Sequence, residues 1–526
     1  MPRSPQAPVP RMLPRLLAAT AVACAIAAGA AALVAQSSLP RIADGTPDLQ
    51  GFWQVRGRPD RNLEAGFVVG GRIPYLPAAA AQRTKKAAAR ASEDPLEHCY
   101  IPGVPRIMGL ERPFQVLQTK AHVAMLFEWT LDYRLIFTDG GDHPTPFTPF
   151  MGYAQGRWEG DTFVVDVTNL NDRTWLDQTG THHSEALHVV ERYTMTGPNT
   201  IRYEATLEDP AVFARPWTVR MTLDRQKGAD RIREFHCQAE KEERNGDFER
   251  EARTWYPGPT GVPKTFAFTP PPEVHRPSTA PASVRRTADG KPDLNGAWEA
   301  DGGGANFGLE AHPKVGLMPP GRGVVTDPPD RKLPLQPWAQ EEKAARNSSL
   351  RGYDDPTAHC FPAGVPRAMY VPAPYFIVQT PETVATLHER MSWRAIALNR
   401  SRHLPDTIRY WQGDSLGHWD GDTLVVETTN LNGKTWGSEA GDVFSYAAHV
   451  VERFTPTDAN TIQYEATITD PVAYTRPFTI AFPIRRLKGE FLEQACREED
   501  RDLPILKRIR DQERARLGVR TRDTDK

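Results

Sequence analysis

The sequence predicts a mainly β protein made of two tandem antiparallel domains, each a β-barrel or β-sandwich with short helices. The first reason is a long internal repeat, because the segment 158–175, WEGDTFVVDVTNLNDRTW, returns at 419–436 as WDGDTLVVETTNLNGKTW. The second is a series of short β-branched runs bounded by turn residues. The third is a content of 48 prolines and 39 glycines, typical of loop-rich β proteins. The repeat is far longer than that of a solenoid, so it indicates two copies of one domain.

The expected strands are short runs that alternate polar and apolar residues or are rich in valine, isoleucine and threonine. In copy one they are Phe114–Thr119, Thr162–Thr168, Ala186–Tyr193, Thr200–Thr206 and Trp217–Leu223. Several such strands at regular spacing favour an antiparallel barrel or sandwich. A Gly-x-Trp tripeptide near the start of each copy is also how lipocalin-like barrels begin. Alanine and charged residues predict two short helices, at Ala78–Ser92 and Gln336–Ala345.

Changes in composition divide the chain into five segments. They are a signal peptide at 1–35, β domain copy one at 41–256, a proline-rich linker at 257–286, β domain copy two at 287–500 and a charged tail at 501–526. The linker has few apolar runs, so we expect it to be stiff and extended. The tail carries many basic and acidic residues, which favours a solvated helix.

The N-terminus has the pattern of an export signal. Arg3, Arg11 and Arg15 precede the apolar run Leu16–Ala35, which consists mostly of alanine, leucine and valine. The alternative is an uncleaved anchor, since the run approaches the roughly 20 residues that span a bilayer. No later segment is long and apolar enough to cross a membrane. We therefore expect a periplasmic or secreted protein with no transmembrane segment after signal removal.

The cysteines fit an oxidising compartment. Apart from Cys24 in the signal there are four, Cys99 and Cys237 in copy one and Cys360 and Cys496 in copy two. Four cysteines allow three pairings, and the repeat favours one bridge within each copy. Bridges that close such long loops would each stabilise the fold by about 4–5 kcal/mol in the chain-entropy model. The alternative is two pairs of free buried thiols.

Charge and motifs exclude several classes of partner. The 64 basic and 66 acidic residues are balanced, so nothing indicates a nucleic-acid surface. No cofactor motif is present, and we expect a small-molecule ligand or substrate with no cofactor, although a divalent metal such as zinc is an alternative. The sequence sets no oligomeric state.

Several motifs recur in the same order in both copies. They are PDLxGxW, a cysteine with Pro-Arg downstream, Gly-Asp-Thr-x-Val-Val, a strand that ends in Val-Glu-Arg, and Asp-Pro followed by Arg-Pro. This string resembles a group of exported bacterial proteins without an assigned activity, here as a tandem duplication. The resemblance covers nearly all of the mature chain. It implies two β domains and export, and it assigns no role to any residue.

Ionisable side chains gather in two segments of copy one, and most of them are replaced in copy two. The candidate acid–base residues are Asp139, His143, His183, Glu185 and His188. Among these, only His143 and His188 have like residues in copy two, at His403 and His449. This asymmetry predicts a working site in copy one and a degenerate copy two, with the opposite assignment as the alternative. Histidine beside a carboxylate is a natural acid–base couple, and strand alternation would place His183 and Glu185 on one face.

Other chemistries have weaker signals. Three histidines and a carboxylate could hold a metal ion, but their spacing matches no known template, so the metal ligands stay unassigned. Ser184 lies beside histidine without the Gly-x-Ser-x-Gly turn of a nucleophile. Aromatic side chains of copy one that align with no aromatic residue in copy two are candidate ligand contacts, namely Trp129, Phe147 and Phe150. Tyr153, which is close to them in sequence, is a fourth candidate.

Three functions are compatible with these patterns. The first is an exported, cofactor-independent enzyme, a hydrolase, lyase or isomerase that uses the acid–base residues of copy one on a small molecule. The second is a periplasmic binding or carrier protein for a small apolar or sugar-like ligand, without turnover. The third is a structural or envelope-interaction protein.

Overall fold

A computed structural model describes most of the chain. It covers residues 39–141, 147–245, 275–302, 304–314, 319–348, 352–390, 392–499 and 502–518. The expected signal peptide at 1–35, His143 and most of the linker lie outside these ranges. Within them, no helix is both long and apolar enough to span a membrane.

Copy one is a closed barrel of nine strands, in which each strand pairs with the next and β1 pairs with β9. The strands are β1 (Gly51–Val55), β2 (Phe114–Gln118), β3 (His122–Phe127), β4 (Tyr133–Phe137), β5 (Tyr153–Glu159), β6 (Thr162–Thr168), β7 (His188–Gly197), β8 (Thr200–Glu208) and β9 (Trp217–Arg225). All pairings are antiparallel except a short parallel contact between β4 and β5. The mainly β prediction is confirmed as a barrel, with one strand more than the eight of lipocalins.

Copy two repeats this barrel. Its strands are β10 (Gly296–Ala300), β11 (Val325–Asp327), β12 (Tyr375–Gln379), β13 (Thr383–His388), β14 (Ser392–Ala397), β15 (Asp414–Asp420), β16 (Thr423–Thr429), β17 (His449–Asp458), β18 (Thr461–Thr469) and β19 (Phe478–Arg486). Pairing of β10 with β19 closes nine of them, and the short β11 adds to β19. Closure leaves few exposed strand edges, which suits a duplicated chain that must not aggregate.

Among the described residues, the α-helices are few and short. They are α1 (Pro77–Ala88), α2 (Arg90–Glu93), α3 (Cys237–Asn245), α4 (Pro337–Arg346), α5 (Cys496–Glu499) and α6 (Asp502–Arg516). The helix expected at Ala78–Ser92 is interrupted at Ala89, whose φ of −97° and ψ of 14° are not helical. The charged tail forms α6, which is not fully solvated, because the Arg510 guanidinium lies 4.0 Å from the centre of the Tyr353 ring.

The strand expected at Ala186–Tyr193 begins two residues later, at His188. Residues before it form a turn, because Ser184 donates both its N–H and its hydroxyl to the Asp209 carboxylate, and Leu187 N–H donates to the Ser184 carbonyl. Local side-chain acceptors of this kind compete with strand pairing. The expected alternation of His183 and Glu185 on one strand face is therefore wrong.

The barrel interiors are packed around a buried ion pair. In barrel one, the Arg134 guanidinium makes a two-point contact with the Glu191 carboxylate, at 3.0 and 2.6 Å, and both side chains are almost fully buried. Glu191 also accepts hydrogen bonds from Tyr193 and Tyr203. Arg394 and Glu452 form the equivalent pair in barrel two.

Each barrel carries its own disulfide, as the repeat predicted. The bridges are Cys99–Cys237 and Cys360–Cys496, and they close loops of 138 and 136 residues. Disulfides of this kind persist in oxidising compartments.

The two barrels pack against each other through reciprocal contacts. The Trp393 indole N–H in barrel two donates to the Phe127 carbonyl in barrel one, at 2.9 Å. In return, the Tyr133 hydroxyl in barrel one donates to the His388 carbonyl in barrel two, at 3.0 Å. Tyr133 and Trp393 occupy equivalent places in β4 and β14. Apolar side chains of both barrels therefore belong to one continuous core.

The segment that follows each barrel docks on the other barrel. Glu234 of copy one accepts the backbone N–H groups of Trp411 and Gln412 in copy two. Glu493 of copy two accepts those of Phe150 and Met151 in copy one, at 2.6 and 3.1 Å. Each glutamate lies three residues before the second cysteine of its own disulfide. The two copies thus exchange equivalent segments about an approximate two-fold axis.

Candidate functional site

The structure does not gather the candidate acid–base residues of copy one. Asp139 is exposed, and its carboxylate accepts the Gly141 N–H at 3.0 Å. Glu185 is exposed, whereas His183 is buried in the turn before β7. The ring nitrogens of His183 lie beside Thr174 and Ser184 rather than beside either carboxylate, and His143 lies outside the described ranges.

His183 has the environment of a structural histidine. Its Nε2 lies 2.7 Å from the Thr174 hydroxyl and its Nδ1 lies 3.1 Å from the Ser184 carbonyl, and only 3% of the residue is exposed. Burial lowers the pKa of His183, although the Ser184 carbonyl and the charge of Asp209 act in the opposite direction. Both ring nitrogens are already engaged, so the ring holds the turn in place.

Replacing His183 with alanine should destabilise the protein by about 1–3 kcal/mol, since the Thr174 hydroxyl would lose its buried partner. Urea denaturation followed by tryptophan fluorescence measures this change. His188→Ala is the matched control, because the His188 side chain is 39% exposed and should change stability by less than about 0.5 kcal/mol. Equal stability of His183→Ala and the parent protein would contradict the structural role.

His188 and its counterpart His449 both have carboxylate partners. In copy one, His188 Nε2 lies 3.1 Å from the Asp166 carboxylate. In copy two, His449 Nε2 lies 2.7 Å from Glu427, the residue equivalent to Asp166. His403 approaches the other oxygen of Glu427, at 3.7 Å. Two histidines therefore converge on one carboxylate in copy two.

A second carboxylate, Asp414, lies on the opposite side of the His403 ring. His403 Nδ1 is 3.1 Å from Asp414 Oδ2, and Asp414 Oδ1 accepts from Arg400 at 2.8 Å and from Arg231 at 3.1 Å. Burial alone would lower the pKa of His403, but hydrogen bonds and charge from Asp414 and Glu427 raise it to about 9. Burial would raise the pKa of Asp414, but His403 and Arg400 lower it to about 2. At neutral pH the cluster is a protonated histidine held between ionised carboxylates.

The four aromatic candidates do not form one wall. Trp129 packs on Phe235, with ring centres 5.5 Å apart, and Phe147 is 41% exposed. Phe150 is buried, with the Arg173 guanidinium 4.8 Å from its ring centre, and Trp411 is its aromatic counterpart in copy two. Tyr153 lines a cleft of about 100 Å³ beside barrel one.

A larger cavity, of about 520 Å³, lies between the two barrels. We call it the interdomain cavity. Its walls are β1 and β2 of barrel one, the exchanged segment 229–234, and β13 to β15 of barrel two with the loop between the last two strands. Asp414, Arg400 and Arg231 lie in its wall, so the charged cluster of copy two faces this cavity.

The equivalent region on the other side of the two-fold axis is divided by aromatic side chains. His122, Phe137, Phe376 and Phe491 form an aromatic plug there, with ring centres 4.9 Å apart for His122 and Phe376 and 5.7 Å for Phe376 and Phe491. The plug separates clefts of about 100 and 460 Å³.

Smaller or polar side chains replace the plug in the interdomain cavity. Strand register places Thr383, Ala397 and Gln115 at the positions of the first three plug residues, and the exchanged segment places Ile232 at the fourth. Loss of the rings joins the two clefts into one continuous space. The cavity is thus a consequence of large-to-small replacements on one side of the pair.

Two side chains in the cavity wall have buried polar atoms without hydrogen-bond partners. Nε and Nη1 of Arg400 and both amide atoms of Gln412 have none among the described residues. The Arg400 side chain is only 10% exposed and Gln412 only 4%. An unsatisfied buried polar group costs about 1–3 kcal/mol, and native proteins keep few of them. A molecule in the cavity would supply hydrogen-bond partners for groups of this kind.

No metal site is evident in the part of the chain that the structure describes, since no three His, Cys, Asp or Glu side chains are grouped as ligands there. No protein-family model matches the chain, and no curated protein is significantly similar to it. The chemistry of the site therefore has to be derived from its geometry.

The residues of the interdomain cavity are not among the site residues predicted from the sequence. Arg400 and Asp414 occupy the positions of Gly140 and Tyr153 in copy one. This gain of charged residues in copy two could have indicated the site. The second signal was retention of both histidines, His403 and His449, beside a carboxylate that is present in both copies.

Proposed function

We propose that this chain is an exported small-molecule-binding protein whose ligand occupies the interdomain cavity. The observation that carries the proposal is that Arg400 and Gln412, two side chains that line the cavity, have buried polar atoms without hydrogen-bond partners among the described residues. A ligand that supplies acceptors and donors would remove this cost. The export expected from the sequence agrees with the two disulfides.

The size and position of the cavity support this function. Its volume of about 520 Å³ lies within the roughly 300–1,000 Å³ of small-molecule sites, which occur preferentially between domains. Apolar groups such as Phe52 and Trp393 share the wall with the charged cluster. This combination of an apolar surface and a few fixed polar groups is suited to orienting one metabolite-sized molecule.

Turnover is the second candidate function, and the position of Asp414 favours it. Its carboxylate lines the cavity and contacts His403, which in turn approaches Glu427. The protonated His403 can release its proton through the Asp414 carboxylate, and a hydrolase, lyase or isomerase requires a proton donor of this kind. His183 is a weaker candidate because both of its ring nitrogens are engaged within the fold.

The aromatic plug supplies a matched pair of variants. Ala397→Phe places in the interdomain cavity the ring that Phe137 contributes to the plug, so it should divide the cavity while the barrel still folds. Native mass spectrometry of protein isolated from its own compartment should show a bound organic mass in the parent protein. We expect Ala397→Phe to lose this mass and the control Phe137→Ala to keep it. Retention of the mass by Ala397→Phe, or a parent protein without bound mass, would contradict the proposal.

Incubation of the released ligand with excess protein separates the two candidates. A carrier returns the ligand with its mass and connectivity unchanged, whereas an enzyme yields a product. Asp414→Asn is isosteric and removes the proton acceptor in the cavity wall. We expect this variant to abolish turnover if there is any, while the Ala397→Phe variant abolishes binding as well.

A further inference from the structure

We infer that the ligand is an oxyanion, a small molecule with a carboxylate at the end of the cavity formed by Arg400, Gln412 and Arg231. This inference rests on the proposed function and specifies its ligand class. An apolar body of the ligand would lie against Phe52, Leu117 and Trp393, which line the same cavity. The expected ligand is therefore an organic acid with a hydrophobic or aromatic body.

The first argument is the balance of charge around Asp414. Its single carboxylate contacts three cationic groups, those of Arg231, Arg400 and His403. Arg231 also pairs with Asp230, at 2.8 Å, and His403 approaches Glu427. The three cations and the carboxylates of Asp414, Asp230 and Glu427 balance in number, but Arg400 shares its one salt-bridged carboxylate with the other two cations. An anion in the cavity would give Arg400 a carboxylate of its own.

The second argument is the chemistry of the unsatisfied atoms. Arg400 uses Nη2 for Asp414, and its Nε and Nη1 donors remain without acceptors. The amide nitrogen of Gln412 is a further donor without an acceptor. Guanidinium and amide donors are the groups that bind carboxylates by charge-assisted hydrogen bonds. A ligand carboxylate would supply acceptors for these donors.

The third argument is that Glu234, a further acid in this part of the wall, adds little negative charge. Burial raises the pKa of Glu234 to about 8, although the N–H groups of Gln412 and Trp411 act against this rise. Glu234 lies in the exchanged segment beside Arg231, and both line the cavity. A mostly protonated Glu234 at neutral pH does not repel an incoming anion.

One wall of the cavity is apolar, because its side chains offer no free polar group. The indole N–H of Trp393 donates to the Phe127 carbonyl, so Trp393 offers the cavity only its ring surface. Ala395 and Ala397 stand where barrel one has Leu135 and Phe137, and they leave room for a flat body. Burial of such a body contributes about 25 cal/mol per Å² of apolar surface.

Benzoate and benzamide are suitable probes, because they have nearly the same shape and differ in charge. Their dissociation constants are measured by isothermal titration or by ligand-observed NMR on the full mature chain. We expect benzoate to bind at least about tenfold more tightly than benzamide, since a charge-assisted hydrogen bond exceeds a neutral one by that factor or more. Arg400→Gln should weaken benzoate binding by at least about tenfold and leave benzamide binding unchanged.

Two further variants complete the test. Arg402→Gln removes the same charge from an exposed arginine nearby and should leave benzoate binding unchanged. Gln412→Leu removes a buried amide without partners, so it should weaken benzoate binding without lowering the melting temperature. This variant keeps the test valid if Arg400→Gln fails to fold.

The outcomes distinguish the two levels of the proposal. Equal affinity for the two probes, or no effect of either cavity variant on benzoate, would overturn the oxyanion class while the cavity remains a binding site. If Ala397→Phe then abolishes binding of both probes, the proposed function stands without the class. If neither probe binds, the inference is overturned, and the search for a co-purified mass decides the proposed function independently.

Discussion

Replacing Arg134 with methionine is expected to lower the free energy of unfolding by about 3–5 kcal/mol. The change removes the cation that contacts both oxygens of Glu191 inside barrel one. Glu191 is fully buried and would keep only the hydroxyl donors of Tyr193 and Tyr203. A buried carboxylate without its cation is among the costly defects in a protein core. Denaturant titration at neutral pH, with an unchanged slope, measures the loss.

The double variant Arg134→Met/Glu191→Leu is the control for this result. It removes both charges, so most of the stability lost by the single variant should return. Barrel two offers an independent repeat of the experiment, because Arg394 and Glu452 have the same arrangement, with Tyr464 as a further donor. A loss below about 1 kcal/mol in the single variant would mean that Glu191 becomes protonated or hydrated at little cost.

The stability of the docked barrels should fall as pH rises from about 4.5 to about 8. Burial raises the pKa of both exchanged glutamates, Glu234 and Glu493, from 4.5 to about 8, although the N–H groups that each accepts act in the opposite direction. In this window the folded protein retains protons that the unfolded chain releases. Each group therefore contributes stability that is fully present below pH 4.5 and lost by about pH 8, at a slope of up to about 1.4 kcal/mol per pH unit.

The variant Glu234→Gln/Glu493→Gln isolates these two groups from all other titrating residues. Its free energy of unfolding, measured from pH 4.5 to 8, should have a flatter slope than that of the parent protein. The single variants should each remove about half of the difference, because the two sites are equivalent. Identical slopes for the parent and the double variant would show that both carboxylates are ionised throughout this range, stabilised by the backbone N–H groups that they accept.

The fold was largely predictable because its signals are local in sequence. The repeat of residues 158–175 at 419–436 required two copies of one domain, and alternation within runs such as Thr200–Thr206 required strands. The cysteine pairing was predictable because each copy has two cysteines at equivalent places, which favours one bridge within each copy. The start of β7 was missed because Asp209, a residue distant in sequence, supplies the acceptors that hold Ser184 in a turn.

The site was harder to predict because it exists only between the copies. Nothing in the sequence states that Gln115 of one barrel and Ala397 of the other face the same space. That Ala397 opens the cavity becomes clear only from the structure, in which its equivalent, Phe137, is part of the aromatic plug. The comparison of the copies favoured the positions where copy one keeps ionisable groups, whereas the cavity arises where copy two has lost bulk and gained Arg400 and Asp414.

The exchange of segments between the barrels has a consequence for how such a protein can diverge. Two equal halves that exchange equivalent segments have the architecture of a symmetric homodimer, here written into one polypeptide. In a homodimer, every substitution occurs on both sides of the axis, so a plug and an open cavity could not coexist at equivalent positions. Fusion of the halves lifts that restriction. One side can retain the rings that hold the assembly together, while the other side is free to change its contents.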